Sequence, residues 1–174
     1  LAAARSAEFR ASALPVTLDA VREGEPADAA LVEFAAYAPW DPKARSSSPK
    51  RYTAYVLEHT GAITWTDLGP ASEIDALVAS FRRELRAPSH GRAVRAAGRA
   101  LDERIMRPVR RLVGPGIKRL LVSPAGALNL VPFAALVDER GRYLVEGREI
   151  VYLTSGRDLL RLRPGAPGVR GGTA

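Results

Sequence analysis

The sequence of 174 residues contains no cysteine and only two histidines, His59 and His90. A disulfide, a thiolate metal site and a cysteine nucleophile are therefore excluded within these residues. Neither histidine has a second ligand at a metal-binding spacing, so we expect two surface histidines, no metal site and no cofactor. No apolar run approaches the roughly 20 residues that span a bilayer. We expect a cytoplasmic protein without membrane contact.

Acidic residues are scarce in one part of the chain. The whole sequence has 26 Lys and Arg against 19 Asp and Glu, a net charge of +7. Residues 81–120 carry 12 basic and three acidic groups, whereas residues 1–80 carry seven basic and 11 acidic groups. Charge concentrated in this way predicts a basic face, most simply a solvated one. The candidate basic surface consists of Arg92, Arg95, Arg99, Arg107, Arg110 and Arg111.

The first part of the chain changes from helical to strand-forming composition. Alanine-rich residues 1–13 predict a helix, and Thr17 is a suitable N-cap for a short helix over residues 18–23. Three prolines and three serines predict a loop over residues 39–49. Runs of strand formers predict three antiparallel strands. These strands are residues 30–37, 51–58 and 62–68.

Two amphipathic helices follow the predicted strands. Ser72, with Asp75 three residues later, suits a weak capping box at the start of the first helix. The second helix is predicted from about Arg92, with an end or a kink at Pro108. The spacing of the apolar residues places one stripe on each helix. The stripes are Ile74, Leu77, Val78, Phe81 and Leu85, then Val94, Ala97, Leu101 and Ile105.

Strands and turns alternate after the second helix. The apolar run over residues 117–123 predicts a strand of a central sheet, followed by a helical turn after Pro132. We expect Phe133, Leu121 and Leu136 to share one core under that turn. Two more strands are predicted, and Ser155 then suits the N-cap of a helix over residues 156–162. The two strands are residues 143–145 and 149–153.

Ser155 also invites comparison with a hydrolase nucleophile elbow, since it lies between a strand and a helix. That elbow needs small residues on both sides of the serine, whereas Leu153 and Arg157 stand there, and no histidine follows it in the sequence. We interpret Ser155 as an N-cap. The residues by themselves therefore predict an α/β domain without a catalytic constellation of its own.

Several short motifs after residue 117 occur together and in a fixed order. An apolar strand ending at residue 123 is followed by P-x-G-x-L over residues 124–128 and L-P-F-x-A-L-like V-P-F-A-A-L over 131–136. G-x-Y-L over 141–144 and Y-x-x-S over 152–155 complete the series. This pattern resembles the CHAT domain family, which is related to caspases and separase. The motif residues are Ser123, Pro124, Gly126, Leu128, Pro132, Phe133, Leu136, Gly141, Tyr143, Leu144, Tyr152 and Ser155.

The resemblance implies a caspase-like α/β fold: the pseudo-protease half of the sheet with flanking helices, preceded by an antiparallel three-stranded element. It also implies a cysteine endopeptidase in which a histidine activates a cysteine. Both catalytic residues of the family lie downstream of the motifs matched here, so no catalytic residue carries over to this sequence. We expect residues 14–163 to be the N-terminal half of a CHAT domain. Residues 1–13 would end a preceding helical segment of the tetratricopeptide-repeat kind, and residues 164–174 would be a linker.

The expected partner is the C-terminal catalytic half of the same domain, in the same or a cleaved chain, together with a protein substrate or regulator. The alternative is a non-enzymatic module that uses the basic face of residues 81–120 to bind protein or nucleic acid. Nucleic acid is the less expected partner, because the arginines are not interleaved with aromatic residues and no known nucleic-acid-binding motif accompanies them.

Overall fold

The computed structural model describes residues 16–43, 45–87 and 91–160, and the predicted segments 1–13 and 164–174 lie outside them. The described residues form a five-stranded sheet with flanking helices and a separate two-stranded hairpin. The helices are α1 (Leu18–Glu23), α2 (Ala71–Arg86) and α3 (Gly91–Arg110). The strands are β1 (Ala29–Tyr37), β2 (Trp40–Asp41), β3 (Ser46–Ser47), β4 (Arg51–Glu58), β5 (Thr64–Pro70), β6 (Arg119–Ser123) and β7 (Glu149–Tyr152).

The five-stranded sheet has the order β5-β4-β1-β6-β7. Strand β1 pairs antiparallel with β4 and parallel with β6, while β4–β5 is antiparallel and β6–β7 is parallel. The three antiparallel strands, expected as an element that precedes the main sheet, are therefore part of it. Their junction is β1, where Ala29, Ala30 and Val32 are fully buried between the two faces. The α/β class is confirmed, and the arrangement is consistent with a caspase-like fold.

The main core lies between one face of the sheet and helices α2 and α3. The apolar stripes predicted for both helices pack there, with Ile74, Phe81, Leu101 and Ile105 fully buried. Leu85 differs, since it is 41% exposed in the last turn of α2. The 3.6-residue period therefore predicted the buried faces correctly, except at the end of one stripe.

Phe133 fills the core beneath the turn that follows Pro132. Its ring centroid lies 5.5 Å from that of Phe34, and Leu136 is buried in the same cluster. The expectation that Leu121 shares this core is wrong. Side chains alternate between the faces of a strand, so Leu120 of β6 points into the main core and Leu121 joins a smaller cluster on the opposite face.

The N-cap predicted for α1 is confirmed, whereas the capping box predicted for α2 is wrong. Thr17 Oγ1 accepts a hydrogen bond from the Ala20 N–H at 3.1 Å, as predicted for the N-cap of α1. The capping box at Ser72 and Asp75 is absent, because β5 leads directly into α2 one residue earlier and no side chain caps that helix. Asp75 Oδ1 instead accepts a hydrogen bond from the Tyr52 hydroxyl at 2.9 Å. This carboxylate therefore joins α2 to the sheet.

Two loop regions also differ from the predictions. Residues 39–49, expected as a loop, contain the short antiparallel pair β2 and β3. Residues 143–145, expected as a strand, belong to a 3₁₀ turn over Leu144–Glu146. The Tyr143 N–H donates to Glu146 Oε1 at 2.7 Å. Tyr143 also forms an isolated antiparallel bridge with Val137, and the Leu144 N–H donates to the Leu136 carbonyl at 2.9 Å. The segment therefore pairs with residues 136–138 over a single bridge and then turns, instead of continuing as a strand.

Truncation of Phe133 tests the placement of the main core. Phe133→Ala should lower the free energy of unfolding by about 3–5 kcal/mol, because it removes a fully buried ring and leaves a cavity. Leu130→Ala is the matched control, since Leu130 is 50% exposed and its loss should cost less than about 1 kcal/mol. Urea unfolding followed by circular dichroism measures both. A cost below about 1 kcal/mol for Phe133→Ala would place the ring outside the core.

Candidate functional site

Strand β7 forms one edge of the five-stranded sheet. It pairs with β6 on one side, and no strand of the described residues lies along its other side. The Glu149 N–H donates to the Lys118 carbonyl of the β6 side at 3.0 Å. Successive residues of a strand direct their N–H groups to opposite sides, so Ile150 and Tyr152 direct theirs toward the open side. This edge therefore offers backbone donors to a further strand.

The two edges of the sheet differ in their protection. At the β5 edge, a bulge interrupts the pairing with β4, and Arg51 holds the Asp67 carboxylate at 2.8 Å. Bulges and charged side chains prevent an edge strand from accepting another strand. Strand β7 has a comparable ion pair, between Glu149 and Arg119 at 2.7 Å, but it has neither a bulge nor a proline. Its middle residues Ile150 and Val151 are apolar and half-buried. The β7 edge is therefore better suited to continuing the sheet.

Exposed apolar side chains lie close to the β7 edge. Tyr152 is 49% exposed, and its hydroxyl accepts a hydrogen bond from the Phe133 N–H at 2.7 Å, which fixes the ring beside the turn at Pro132. Leu130 precedes this turn and is 50% exposed. Val145 lies in the 3₁₀ turn that contacts β7 and is 58% exposed. Apolar groups near an unpaired edge favour contact with another polypeptide segment.

The described residues cover only part of the sheet face opposite the main core. Helix α1 and the 3₁₀ turn Gly156–Leu160 cover a small cluster that includes Val21 and Leu121. Next to this cluster lies a groove of about 470 Å³, with Glu33 and Tyr55 in its wall. One face of the sheet is therefore packed under helices, whereas the other retains accessible apolar surface.

The arginines of residues 81–120 do not form one uniform basic surface. Arg110 was predicted to lie on it, but its side chain is 16% exposed and donates to both Asp102 oxygens at 2.7 Å. Arg99 is held in an ion pair within α3 at 2.9 Å. Arg95 lies over an aromatic ring, 4.7 Å from its centroid. Within the described ranges, the arginines of the predicted surface that are exposed without an ion pair are Arg92, Arg95, Arg107 and Arg111, and of these Arg95 is engaged with the Tyr143 ring.

The network around Asp102 was not recognised in the sequence. Asp102 is fully buried on α3, and this burial raises the pKa of its carboxyl, partly offset by the hydrogen bonds from Arg110. Arg110 also donates to Glu139 Oε2 at 2.5 Å. Burial opposes the charge of Arg110, but its bonds to the two carboxylates raise its pKa overall. The sequence feature that could have indicated this pair is the spacing of eight residues between Asp102 and Arg110, which places both on one side of a helix.

The described part of the chain contains neither a metal cluster nor a membrane-spanning helix. No three His, Asp or Glu side chains among residues 16–43, 45–87 and 91–160 lie where they could hold a metal ion. The helices in these ranges lack the length and hydropathy of a membrane span. His59 Nδ1 lies 3.1 Å from the Glu25 carbonyl oxygen, while His90 falls outside the described residues.

Residues 95–173 match the family model of the CHAT domain. This segment is similar to the CHAT domain family, and it covers somewhat less than half of the 174 residues. The match includes most of α3 together with β6 and β7, so the open edge lies inside the CHAT segment. It supports the resemblance that the motifs of these residues indicated. The resemblance upstream of residue 95 is outside this match and stays a prediction. No curated protein and no solved structure matches the chain.

The predicted CHAT motif residues lie along the connection from β6 to β7 and just beyond it. Ser123 Oγ donates to the Thr154 carbonyl at 3.2 Å and so links the ends of these two strands. Gly126 has φ +57°, and a Cβ there would lie 2.4 Å from the Tyr52 hydroxyl, so the turn requires glycine. The motif residues packed into the main core are Leu128, Phe133, Leu136 and Leu144.

The other CHAT motif residues occupy turns or make local hydrogen bonds. Gly141 has φ +75° in the turn before Tyr143. Ser155 Oγ accepts the Arg157 N–H at 3.3 Å, in a 3₁₀ turn rather than the predicted α-helix. The remaining motif residues lie in the connecting turns or next to them, at Pro124, Pro132 and Tyr152. The contacts described for the CHAT motif residues are with other residues of the same domain.

Glu25 is a buried carboxyl group that the sequence did not single out. It is 3% exposed, and its Oε1 accepts the Leu31 N–H at 2.7 Å, while Oε2 has no partner among the described residues. Burial, with a further contribution from the charge of Glu58, raises the pKa of Glu25 from 4.5 to about 7. The folded state therefore holds this proton more tightly than the unfolded chain. The associated stability is present below pH 4.5 and is lost as the pH rises through about 7.

Substitution of Glu25 tests this linkage. Glu25→Gln should keep the bond from Leu31 and remove the buried charge, so its free energy of unfolding should exceed that of the unsubstituted chain at pH 8, by up to about 3 kcal/mol. The two should converge near pH 4. Asp19→Asn, at an exposed position of α1, is the control and should keep the original pH profile. Urea titrations from pH 4 to pH 8 measure the free energy of unfolding of each variant. If its pH dependence is the same in Glu25→Gln as in the unsubstituted chain, the linkage to Glu25 is contradicted.

Proposed function

We propose that this chain is the non-catalytic N-terminal part of a CHAT-type caspase-like cysteine endopeptidase, and that it scaffolds a catalytic segment carrying the histidine and the cysteine. The observation that carries the proposal is the open β7 edge within the CHAT segment. The 174 residues contain no cysteine, so a thiol nucleophile has to come from a polypeptide stretch outside them. That stretch would be covalently continuous with this one or associated with it after cleavage.

Strand addition at β7 is the contact that the geometry favours. The outward N–H groups of Ile150 and Tyr152 would pair with the carbonyl groups of an incoming strand. Parallel strands are usually buried on both faces, whereas Ile150 and Val151 are only half-buried. A further strand with its covering helix would complete this burial. The resulting interface should be largely apolar and exceed about 1,000 Å² in total.

The chain would contribute position and orientation rather than a reacting group. The β6 and β7 strands are parallel, so their carboxyl ends, at Ser123 and Tyr152, lie on the same side of the sheet. Ligand sites of open α/β sheets lie beyond that side. A histidine of the partner segment would accept the thiol proton, and the thiolate would attack the peptide carbonyl. This chain would then supply part of the wall of the substrate groove.

The alternative proposal, a module that binds through the basic face, has less support. Arg110, Arg99 and Arg95 are engaged within the domain, which reduces the charge available for phosphate contacts. Salt dependence separates the two proposals. Binding to a nucleic acid through several phosphates would weaken steeply as salt increases, whereas strand addition with apolar burial would not.

The β7 edge can be tested in the parent gene product. Ile150→Pro should reduce association with the catalytic segment at least tenfold, because proline removes the outward N–H and obstructs a neighbouring strand. This substitution leaves in place the N–H groups of β7 that bond to β6. Ile150→Val is the matched control, since it retains the N–H and should leave association within about twofold. Native purification with mass spectrometry identifies the associated segment, and analytical ultracentrifugation measures its affinity.

The expected associated segment contains a cysteine and a histidine. The proposal fails if residues 1–174 are recovered alone, monomeric and cooperatively folded, or if the associated segment lacks these residues. It also fails if Ile150→Pro and Ile150→Val associate equally well while both remain folded by circular dichroism.

Peptidase assays of the separate chain give a further test. Residues 1–174 alone should hydrolyse no member of a peptide library, because the sequence contains no thiol and the structure holds Ser155 as a backbone cap. Ser155→Ala is the control for any residual signal. Hydrolysis that persists through repeated purification and disappears in Ser155→Ala would replace this proposal with a serine hydrolase.

A further inference from the structure

The groove on the sheet face opposite the main core, which we call the opposite-face groove, is accessible to another chain segment. It lies over β1 and β4, which β6 separates from β7, and neither Ile150 nor Tyr152 lines it. The strand proposed to add at β7 would therefore not occupy this groove. Its large apolar residues that remain between 39% and 44% exposed are Val16, Leu18, Tyr55 and Ile63.

The opposite-face groove interrupts a layer of helical elements. Sheets that contain parallel strands are usually covered by helices on both faces. Among the described residues, the helical elements that border the groove are α1 and the 3₁₀ turn Gly156–Leu160. Apolar surface left accessible between two such elements favours contact with a further segment. A helix placed between them would complete the layer.

The charge in the wall of the opposite-face groove is a half-buried carboxylate. A Cβ added at Gly156 would lie 3.5 Å from Glu33 Oε2, so this oxygen faces the bordering turn. The Glu33 side chain has no ion pair or hydrogen bond within the described ranges. Arg157 also lines the groove, but it is exposed to solvent, where its charge is screened. The groove therefore fits an apolar segment that carries a basic group.

The segment that precedes Val16 leads directly into the opposite-face groove. Val16 begins the described part of the chain and itself lines the groove, so residues 1–15 are attached at its wall. The helix predicted over residues 1–13 would be about 20 Å long. Three neighbouring strands of a sheet extend over only about 10 Å. The segment is therefore long enough to cross the groove without an additional linker.

One face of the helix predicted over residues 1–13 matches the groove in chemistry. Spacings of four residues place Arg5, Phe9 and Ala13 on the same face. Phe9 provides a large apolar ring, and Arg5 provides a cation one turn away. This combination is complementary to apolar walls that contain the Glu33 carboxylate.

We propose that residues 1–15 occupy the opposite-face groove of the same chain, with the Phe9 ring on its apolar walls and Arg5 beside Glu33. Burial of the ring would remove apolar surface from water on both sides of the contact. The guanidinium group would supply the partner that the carboxylate lacks among the described residues. This contact requires neither the β7 edge nor a catalytic segment, so it is independent of the proposed function.

Paramagnetic relaxation enhancement in the 174-residue chain tests the proposal. Because the sequence contains no cysteine, Ala4→Cys provides a single attachment site for a nitroxide label. Position 4 lies on the face of the predicted helix away from Phe9, so the label should not enter the groove. We expect the label to broaden the amide signals of Glu33 and Tyr55. The amide signal of Arg107, on α3 beneath the other sheet face, should stay sharp.

Substitutions in the labelled chain separate docking from mere tethering. Phe9→Asp should weaken docking at least about tenfold, because it places a charge against apolar walls, and the broadening at Tyr55 should fall accordingly. Ala7→Asp adds the same charge on the other face of the predicted helix and should leave the broadening unchanged. Arg5→Glu should reduce the broadening, and Glu33→Lys in the same chain should restore it, because the two charges are exchanged.

Sharp signals at Glu33 and Tyr55 in the labelled chain would overturn the proposal. Equal broadening in Phe9→Asp and Ala7→Asp would also overturn it, since it would indicate a tethered segment that does not dock. A mixture of the labelled chain with an isotope-enriched, unlabelled chain tests for a second copy in the groove. Broadening in that mixture would assign the groove to a contact between two copies and contradict the intramolecular contact. None of these failures would bear on association at β7.

Discussion

The burial of β1 on both faces, together with its pairing along both edges, is the constraint on which the rest of the structure depends. The segment from Ala29 to Val32 is at most 4% exposed, and it joins an antiparallel half of the sheet to a parallel half. Backbone groups buried this deeply have to be hydrogen-bonded, which fixes β4 on one side and β6 on the other. The two helices then cover one face because their apolar stripes have no other surface on which to pack.

The parallel half of the sheet explains where this domain is able to accept another segment. Parallel strands need both faces and both edges covered, and β7 is the point where this requirement is not met by the described residues. The antiparallel half ends differently, at a β5 edge whose pairing with β4 is interrupted by a bulge. The CHAT match and the asymmetry of the edges therefore support the same proposal, a scaffold to which a catalytic segment adds at β7.

The dense positive charge of residues 81–120 suggests a basic binding surface, but several of these arginines make contacts within the domain instead. On α3 and the loop packed against it, arginines bind carboxylates, carbonyl groups and an aromatic ring of the same domain. Such contacts hold the long connection between β6 and β7 against the helix. The basic character of this part of the chain is thus partly structural.

The sequence by itself determined the α/β class, the two amphipathic helices, most strands, the cap at Thr17 and the CHAT motifs, because these depend on local periodicity and on residues close in the chain. Leu121 was assigned to the wrong core, since the choice of face depends on which side the helices cover. The strand predicted at 143–145 is reduced to one bridge between Tyr143 and Val137, because the chain turns into a 3₁₀ helix at Leu144. The open edge at β7 and the burial of Glu25 were decided only by the tertiary structure. They depend on strand order and on desolvation by residues distant in the chain, which no local pattern records.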